Sequence, residues 1–136
     1  MKVTKIVAGI ALLSFIAPLY ALAHEHQDFT IGGKNYEFVV GSLGEPVVVD
    51  DKTGVDLRVT SGGTPVEGLE QTLKVELIAG EKKKTLDFTT VYGSKGAYKA
   101  IFFPTVQTTL TYRIFGTING VAVDLPFTCN PAGHVA

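Results

Sequence analysis

Several residue types are scarce in this chain, and each scarcity excludes a class of protein. Cys129 is the single cysteine, so no internal disulfide can form and the hydrophobic core must stabilise the fold. The single methionine is Met1, which removes the thioether ligands of many copper(I) sites. Lysine and arginine form no broad patch, which argues against nucleic-acid binding. Motifs for phosphate binding, dinucleotide binding and nucleophilic catalysis are lacking as well, so we expect no enzymatic activity.

The one long apolar run of the chain lies at its start and predicts export. Two lysines within the first five residues precede an uncharged stretch from Ile6 to Tyr20. Ala21-Leu22-Ala23 then matches the small-residue pattern at which signal peptides are cut. The run is shorter than the ~20 residues that a membrane helix needs. We therefore predict a signal peptide over residues 1–23 and a periplasmic or secreted mature protein that begins at His24 and has no membrane span.

Beyond residue 29, apolar and polar residues alternate, as in strands with one buried face. Segments rich in Gly, Asp, Ser or Pro separate these runs, and Asn119-Gly120 predicts a two-residue type I′ hairpin turn. No segment after residue 23 has a sustained helical period. This pattern predicts an all-β fold, an immunoglobulin-like antiparallel β-sandwich of seven or eight strands, with a small closed barrel as the alternative. The clearest alternating runs are 55–59, 73–77, 98–102, 110–114 and 121–127.

The chain after the signal peptide is long enough for one domain and too short for two. We expect residues 24–33 to be a flexible N-terminal segment, residues 34–129 to form the sandwich domain and residues 130–136 to be a C-terminal tail. The one basic cluster, Lys82-Lys83-Lys84, follows Gly80 and is predicted to lie in a solvated turn.

The order of several short motifs resembles a family of exported bacterial and archaeal Ig-like domains, similar to the YtkA-like and CopC-like periplasmic domains. The resemblance covers most of the chain after residue 23 and implies an Ig-like fold. Some members carry copper across the periplasm, so it also implies a copper role. CopC-like copper(II) sites use an N-terminal His and a later Asp-x-His; this chain has His24 but no Asp-x-His. The motifs are Tyr36–Gly41 with Gly44-Glu45-Pro46, Gly54–Val59, Thr64–Leu69 with Leu73-Lys74-Val75, and Gly96-Ala97-Tyr98 with Pro104-Thr105 and Tyr112–Gly120.

The new N-terminus, His24-Glu25-His26, is the main candidate metal site. Cleavage after Ala23 would free an α-amine next to a histidine. The amine, two deprotonated backbone amides and the His26 imidazole could form a square-planar N4 set, which suits Cu(II) or Ni(II). Alternatively, the amine and the His24 imidazole could chelate copper as a brace, completed by His26 or a carboxylate. The competing interpretation is a flexible, polar tail without a ligand role.

Cys129 and His134 are weaker candidate ligands, because a thiolate and an imidazole near the C-terminus could join the N-terminal histidines in space. Cys129 has the parity of the buried residues of the last strand, however, and a free cysteine often packs as a small hydrophobe.

A second class of function is a protein-interaction or accessory module of a cell-envelope complex, without a metal role. Four apolar residues fall at outward positions of their strands, and such a group marks a docking site for a partner protein if it forms one patch. The four are Ile78, Ile101, Phe103 and Phe115.

Overall fold

The computed structural model describes residues 24–128, which form ten β-strands and a 3₁₀ turn at Leu69–Gln71. No helix in this part of the chain is long and apolar enough to cross a membrane. The strands are β1 (Glu25–Ile31), β2 (Lys34–Ser42), β3 (Thr53–Ser61), β4 (Thr64–Pro65), β5 (Leu73–Ala79), β6 (Lys82–Asp87), β7 (Thr89–Val91), β8 (Ser94–Phe102), β9 (Thr111–Ile118) and β10 (Val121–Phe127).

The strands form two antiparallel sheets. The first has the order β1-β2-β3-β8-β7, with the short β4 paired to β3, and the second has the order β10-β9-β5-β6. When β1 and β4 are set aside, these orders correspond to the A-B-E-D and G-F-C-C′ sheets of immunoglobulin domains. The predicted all-β sandwich is therefore confirmed, with ten strands instead of seven or eight.

Residues from both sheets meet in one buried cluster, because the predicted alternation turns one row of each strand inward. Phe38 of β2 and Leu57 of β3 are fully buried from the first sheet, and Val75 of β5 and Ile114 of β9 from the second. The ring of Phe127, at the end of β10, lies 6.3 Å from that of Phe38 and joins the two sheets.

The β9–β10 turn confirms the hairpin prediction: Asn119 and Gly120 both have positive φ, 48° and 76°, as a type I′ turn requires. A second two-residue turn, Gly32-Gly33, has φ values of 58° and 79° and connects β1 to β2.

The prediction of a flexible segment at residues 24–33 is wrong, because Glu25–Ile31 is a paired edge strand. Its inward side chains account for the pairing. Phe29 makes edge-to-face contacts with Phe38 at 5.4 Å and with Phe127 at 6.1 Å between ring centroids. The adjacent Ile31 is buried. The domain therefore begins about nine residues earlier than the sequence indicated.

The prediction for the lysine cluster is also wrong. The turn between β5 and β6 is only Gly80-Glu81, since Ala79 pairs directly with Lys82. Lys82, Lys83 and Lys84 therefore begin strand β6, which is the edge of the second sheet.

One end of the sandwich, here called the basal end, is formed by the loop of residues 43–52 and the loop of residues 103–110. The two loops are joined by a hydrogen bond from the Asp50 N–H to the Pro104 carbonyl, at 2.8 Å. At the same end, the hydroxyls of Ser42 on β2 and Tyr112 on β9 are 2.6 Å apart and link the two sheets.

Candidate functional site

His24, at the predicted cleavage point, packs against the outer face of the first sheet. Its Nε2 lies 3.1 Å from Oδ2 of Asp56 on β3. The two side chains are 33% and 13% exposed, so the contact is largely sheltered from solvent. Gly41 of β2 lies between them in the sheet, as the partner of Asp56 in the β2–β3 pair. The imidazole therefore crosses β2 to reach a carboxylate on the next strand.

The absence of a side chain at Gly41 makes room for this ring. A β-carbon at Gly41 would lie 2.5 Å from His24 Cδ2 and 2.8 Å from His24 Nε2, closer than any real contact of this kind. Gly41 is itself buried beneath the ring. A small residue on β2 and a carboxylate on β3 together fix the position of the first histidine.

The bond to Asp56 engages Nε2 and leaves the other ring nitrogen, Nδ1, next to the main chain of His24. A histidine that binds a metal through one nitrogen commonly donates its other N–H to a carboxylate, which fixes the tautomer and the ring orientation. Asp56 Oδ2, at 3.1 Å from Nε2, lies where such a carboxylate would lie. Sequence reasoning missed both Asp56 and Gly41, although Asp56 has outward parity between Val55 and Leu57.

His26 is exposed and lies opposite Val39 of β2. Residues two apart along a strand share a face and are about 7 Å apart, so His26 projects from the same outer face as His24.

The remaining metal candidates, Cys129 and His134, lie outside the described residues. Within residues 24–128, no group of three or more His, Cys, Asp or Glu side chains is placed to hold a metal ion.

The four apolar residues at outward strand positions do not form one patch, because two lie at the end of the first sheet and two on the second. Ile101 is the penultimate residue of β8 in the first sheet and is 38% exposed, and Phe103, directly after the strand, is 60% exposed. Ile78 and Phe115 belong to β5 and β9 of the second sheet and are half-buried. The Arg113 guanidinium covers the Phe115 ring at 4.8 Å.

The exposed apolar residues instead gather at the basal end. Leu43 and Ile101 meet above Gly54, where a β-carbon would lie 2.7 Å from one side chain and 3.1 Å from the other. Phe103 and Val106 are exposed on the neighbouring loop, and Phe103 is the most exposed of the four. This end is the most apolar part of the described surface.

Arg113 organises the charges on the outer face of the second sheet. Its Nε and Nη2 donate to the two carboxylate oxygens of Asp124 at 2.7 and 2.8 Å, and its Nη1 donates to Glu76 at 3.3 Å. Hydrogen bonding to Arg113 lowers the pKa of Asp124. The charges of Arg113, Asp124 and Glu76 are hydrogen-bonded to one another, so we assign these side chains a structural role.

Comparison with known proteins adds information about the fold alone. No family model matches the chain, and a search of curated proteins finds no match. Among solved structures, the chain is similar to a DUF4426 family protein from Pseudomonas aeruginosa PAO1, with 20% sequence identity and a TM-score of 0.56. The match covers 79% of this chain and 94% of that one. At this identity, the likeness supports the sandwich architecture and carries no activity with it.

Proposed function

We propose that this protein is an exported, non-catalytic domain that binds copper(II) through its mature N-terminus. The observation that carries the proposal is the 3.1 Å contact between His24 Nε2 and Asp56 Oδ2, with the ring seated on Gly41. The export signal and the periplasmic or secreted location are part of the proposal, since both depend on residues 1–23.

Cleavage after Ala23 would place an α-amine on the residue whose imidazole is already oriented by Asp56. The amine and Nδ1 of His24 would then close a six-membered chelate ring around the metal. Nitrogen donors in a tetragonal arrangement suit Cu(II). His26, on the same face, is the other histidine of residues 24–128 and would supply a third nitrogen.

The strand pairing of β1 favours this brace over the N4 alternative. An N4 site would use the backbone nitrogens of Glu25 and His26, bent into a plane around the metal. Both residues are extended and paired, with Val40 and Val39 of β2. The N4 mode would therefore disrupt the pairing of the first residues of β1 with β2, whereas the brace leaves this pairing intact.

Single substitutions separate the two modes. We would export the full chain, confirm His24 as its first residue by mass spectrometry, and titrate it with Cu(II) while recording visible and electron paramagnetic resonance spectra. In the brace, His24→Ala abolishes tight binding and His26→Ala weakens it. In the N4 site the order is reversed, because His24→Ala would keep the amine, both amides and the His26 imidazole.

Two controls sharpen this result. An extra alanine inserted before His24 keeps the imidazole but moves the amine, so it should abolish the brace. His134→Ala and Cys129→Ser should leave the affinity unchanged, unless the C-terminal tail contributes a ligand. A protein that starts at His24 and shows no Cu(II) spectrum would refute the proposal.

The second candidate function, an accessory module of a cell-envelope complex, is favoured by the exposed apolar residues of the basal end. Gel filtration with and without copper separates the two candidates. A dimer that forms without copper would favour the interaction module, and a monomer with one bound Cu(II) would favour the metal site.

A further inference from the structure

The basal end contains an apolar groove, here called the basal groove, with a volume of about 250 Å³. Leu77, Phe102 and Leu110 line it from the core side, and each is less than a tenth exposed. Phe103 and Val106 form one rim and are 60% and 43% exposed. Large apolar side chains thus face solvent beside an accessible cleft.

The opposite wall of the groove is positively charged. Lys82, Lys83 and Lys84, at the start of β6, all line it, and no acidic residue does. Lys83 has Glu76 at 4.0 Å on the outer face of the sheet, whereas Lys82 and Lys84 form no ion pair with the described residues. The whole chain has a formal net charge of −1, so the positive charge of this wall is a local feature and not a property of the chain as a whole.

Strand β6 is also the last strand of its sheet, paired with β5 alone among the described strands. The outer edge of such a strand presents unpaired backbone N–H and C=O groups, to which an extended peptide can add as a further strand. Lysines on an edge discourage pairing with another copy of the same edge, because the two positive rows would meet. The same lysines attract a strand that carries carboxylates.

We propose that the basal groove binds an extended, acidic segment of a partner protein, which pairs with β6. Its apolar side chains would enter the groove between β6 and the 103–110 loop. Its carboxylates would alternate with these apolar side chains along the same face of the added strand, and they would lie against Lys82 and Lys84, which share the groove face with Ala79 and Leu77. The proposal gives a definite partner chemistry to the interaction candidate and does not depend on copper, because no groove residue belongs to the His24 site.

The probe is the peptide acetyl-(Thr-Glu-Thr-Val)2-amide, which puts Glu and Val alternately on one face of a strand; it is labelled for fluorescence anisotropy and added to the exported chain without copper. The expected results are saturable binding that weakens with added salt and slower hydrogen exchange of the β6 amides in the complex. Acetyl-(Thr-Lys-Thr-Val)2-amide, with the same pattern and opposite charge, should not bind. Binding of both peptides, or of neither, would overturn the proposal.

Charge reversal locates the site. The double variant Lys82→Glu with Lys84→Glu should bind the acidic peptide about tenfold more weakly. The matched control is Lys95→Glu at the opposite end of the sandwich, which should bind like the unaltered protein. Phe103→Ala tests the apolar contribution, and its exposure makes misfolding a small concern. Unchanged affinity in the double variant would place the peptide elsewhere and refute the assignment.

A membrane surface is the main competing occupant. Vesicles of phosphatidylglycerol and of phosphatidylcholine, tested by co-sedimentation, address it directly. Lysine-dependent binding to the anionic vesicles, without peptide binding, would overturn the proposal and assign the groove to a lipid surface. Failure of the peptide experiment would not affect the copper proposal. A copper titration without a spectral change would likewise not affect the proposal for the basal groove.

Discussion

At the scale of single residues, Gly41 has the most specific role in the His24 site. The conformation of Gly41 is not of the left-handed kind that favours glycine, so alanine meets no backbone strain there, and the three atoms nearest to its β-carbon all belong to the His24 ring. We expect Gly41→Ala to leave the fold intact and displace the imidazole from Asp56. Loss of the His24 to Asp56 contact in NMR spectra would check this, together with a weaker Cu(II) affinity. Gly44→Ala, whose β-carbon would meet only Thr53 Oγ1 at 3.9 Å, is the matched control.

Asp56 should matter for metal affinity without binding the metal. Removal of a carboxylate that hydrogen-bonds a metal-binding histidine typically lowers metal affinity about 10-fold to 100-fold. We expect a loss of that size in Asp56→Ala, with the Cu(II) spectrum itself preserved. A changed spectrum would mean that Asp56 is a direct ligand. Unchanged affinity would mean that the hydrogen bond serves only the fold.

Tyr98 gives the stability of the domain a dependence on alkaline pH. Its buried hydroxyl donates to the Val66 carbonyl at 2.5 Å and accepts the Leu69 N–H at 3.3 Å. Burial raises the pKa of Tyr98 above its ordinary value, Glu70 and Glu67 add to the rise, and the Leu69 N–H opposes it. A raised pKa in the folded state means that the stabilisation is complete below about pH 10 and is lost as the pH rises through the folded value.

Tyr98→Phe should therefore lower the free energy of unfolding by about 1–3 kcal/mol at neutral pH, because it leaves a buried carbonyl and N–H without their partner. The loss of stability between pH 8 and pH 11 should also become shallower in this variant. Urea denaturation at neutral pH, pH 8 and pH 11 measures both the lower free energy of unfolding and its shallower dependence on pH. Tyr92→Phe is the control, since Tyr92 is fully exposed at the β7–β8 turn and should change neither.

At the scale of strands, the sequence predicts a hairpin correctly where a two-residue turn lies between two runs of alternating apolar and polar residues. Asn119-Gly120 between two alternating runs predicted the β9–β10 hairpin correctly. Gly32-Gly33 is the same kind of turn signal, but the polar residues before it do not show the apolar alternation that is typical of a strand. What marks β1 as a strand is the spacing of Phe29 and Ile31. The Phe29 ring packs on Phe38 of the next strand and on Phe127 of the last strand, and the second of these contacts is not visible in the local sequence.

The candidate site could be predicted only in part from the sequence, because its residues come from segments that are far apart in the chain. His24 and His26 stand out from the sequence because a cleavage point precedes them. Asp56 lies 32 residues away and joins His24 only through the β1-β2-β3 order of the sheet. The lysines of β6 were placed in a turn because charge and a nearby glycine resemble one. Pairing of Ala79 with Lys82 shortens that turn to two residues.

The docking of β1 can be tested through Phe29. We expect Phe29→Ala to destabilise the domain by about 1–3 kcal/mol, less than the ~3–5 kcal/mol of a fully buried phenylalanine, because the ring is half-buried. Copper affinity should fall too if β1 must be paired to hold His24 beside Asp56. Exposed Thr30 on the same strand provides the control, since Thr30→Ala should alter neither quantity. Unchanged copper affinity in Phe29→Ala would favour the N4 mode, which does not need a paired β1.

At the scale of the whole molecule, the two sheets share one core, so the domain should unfold as a single unit. Tyr98 of the first sheet and Tyr112 of the second are both buried in the same cluster, and Phe102 lies 6.3 Å from Tyr112 across the interface. Neither sheet can keep its buried face without the other. Small domains built this way usually unfold in one cooperative transition.

Urea unfolding followed by tyrosine fluorescence should therefore coincide with unfolding followed by far-ultraviolet circular dichroism. The chain has no tryptophan, so tyrosines in both sheets report on tertiary packing without a dominant single probe. If copper binds the folded domain in preference to the unfolded chain, it should move both curves to higher urea together, by mass action. A copper effect on one probe alone would separate β1 and the His24 site from the rest of the sandwich. Such a result would contradict the view that β1 belongs to the cooperative core.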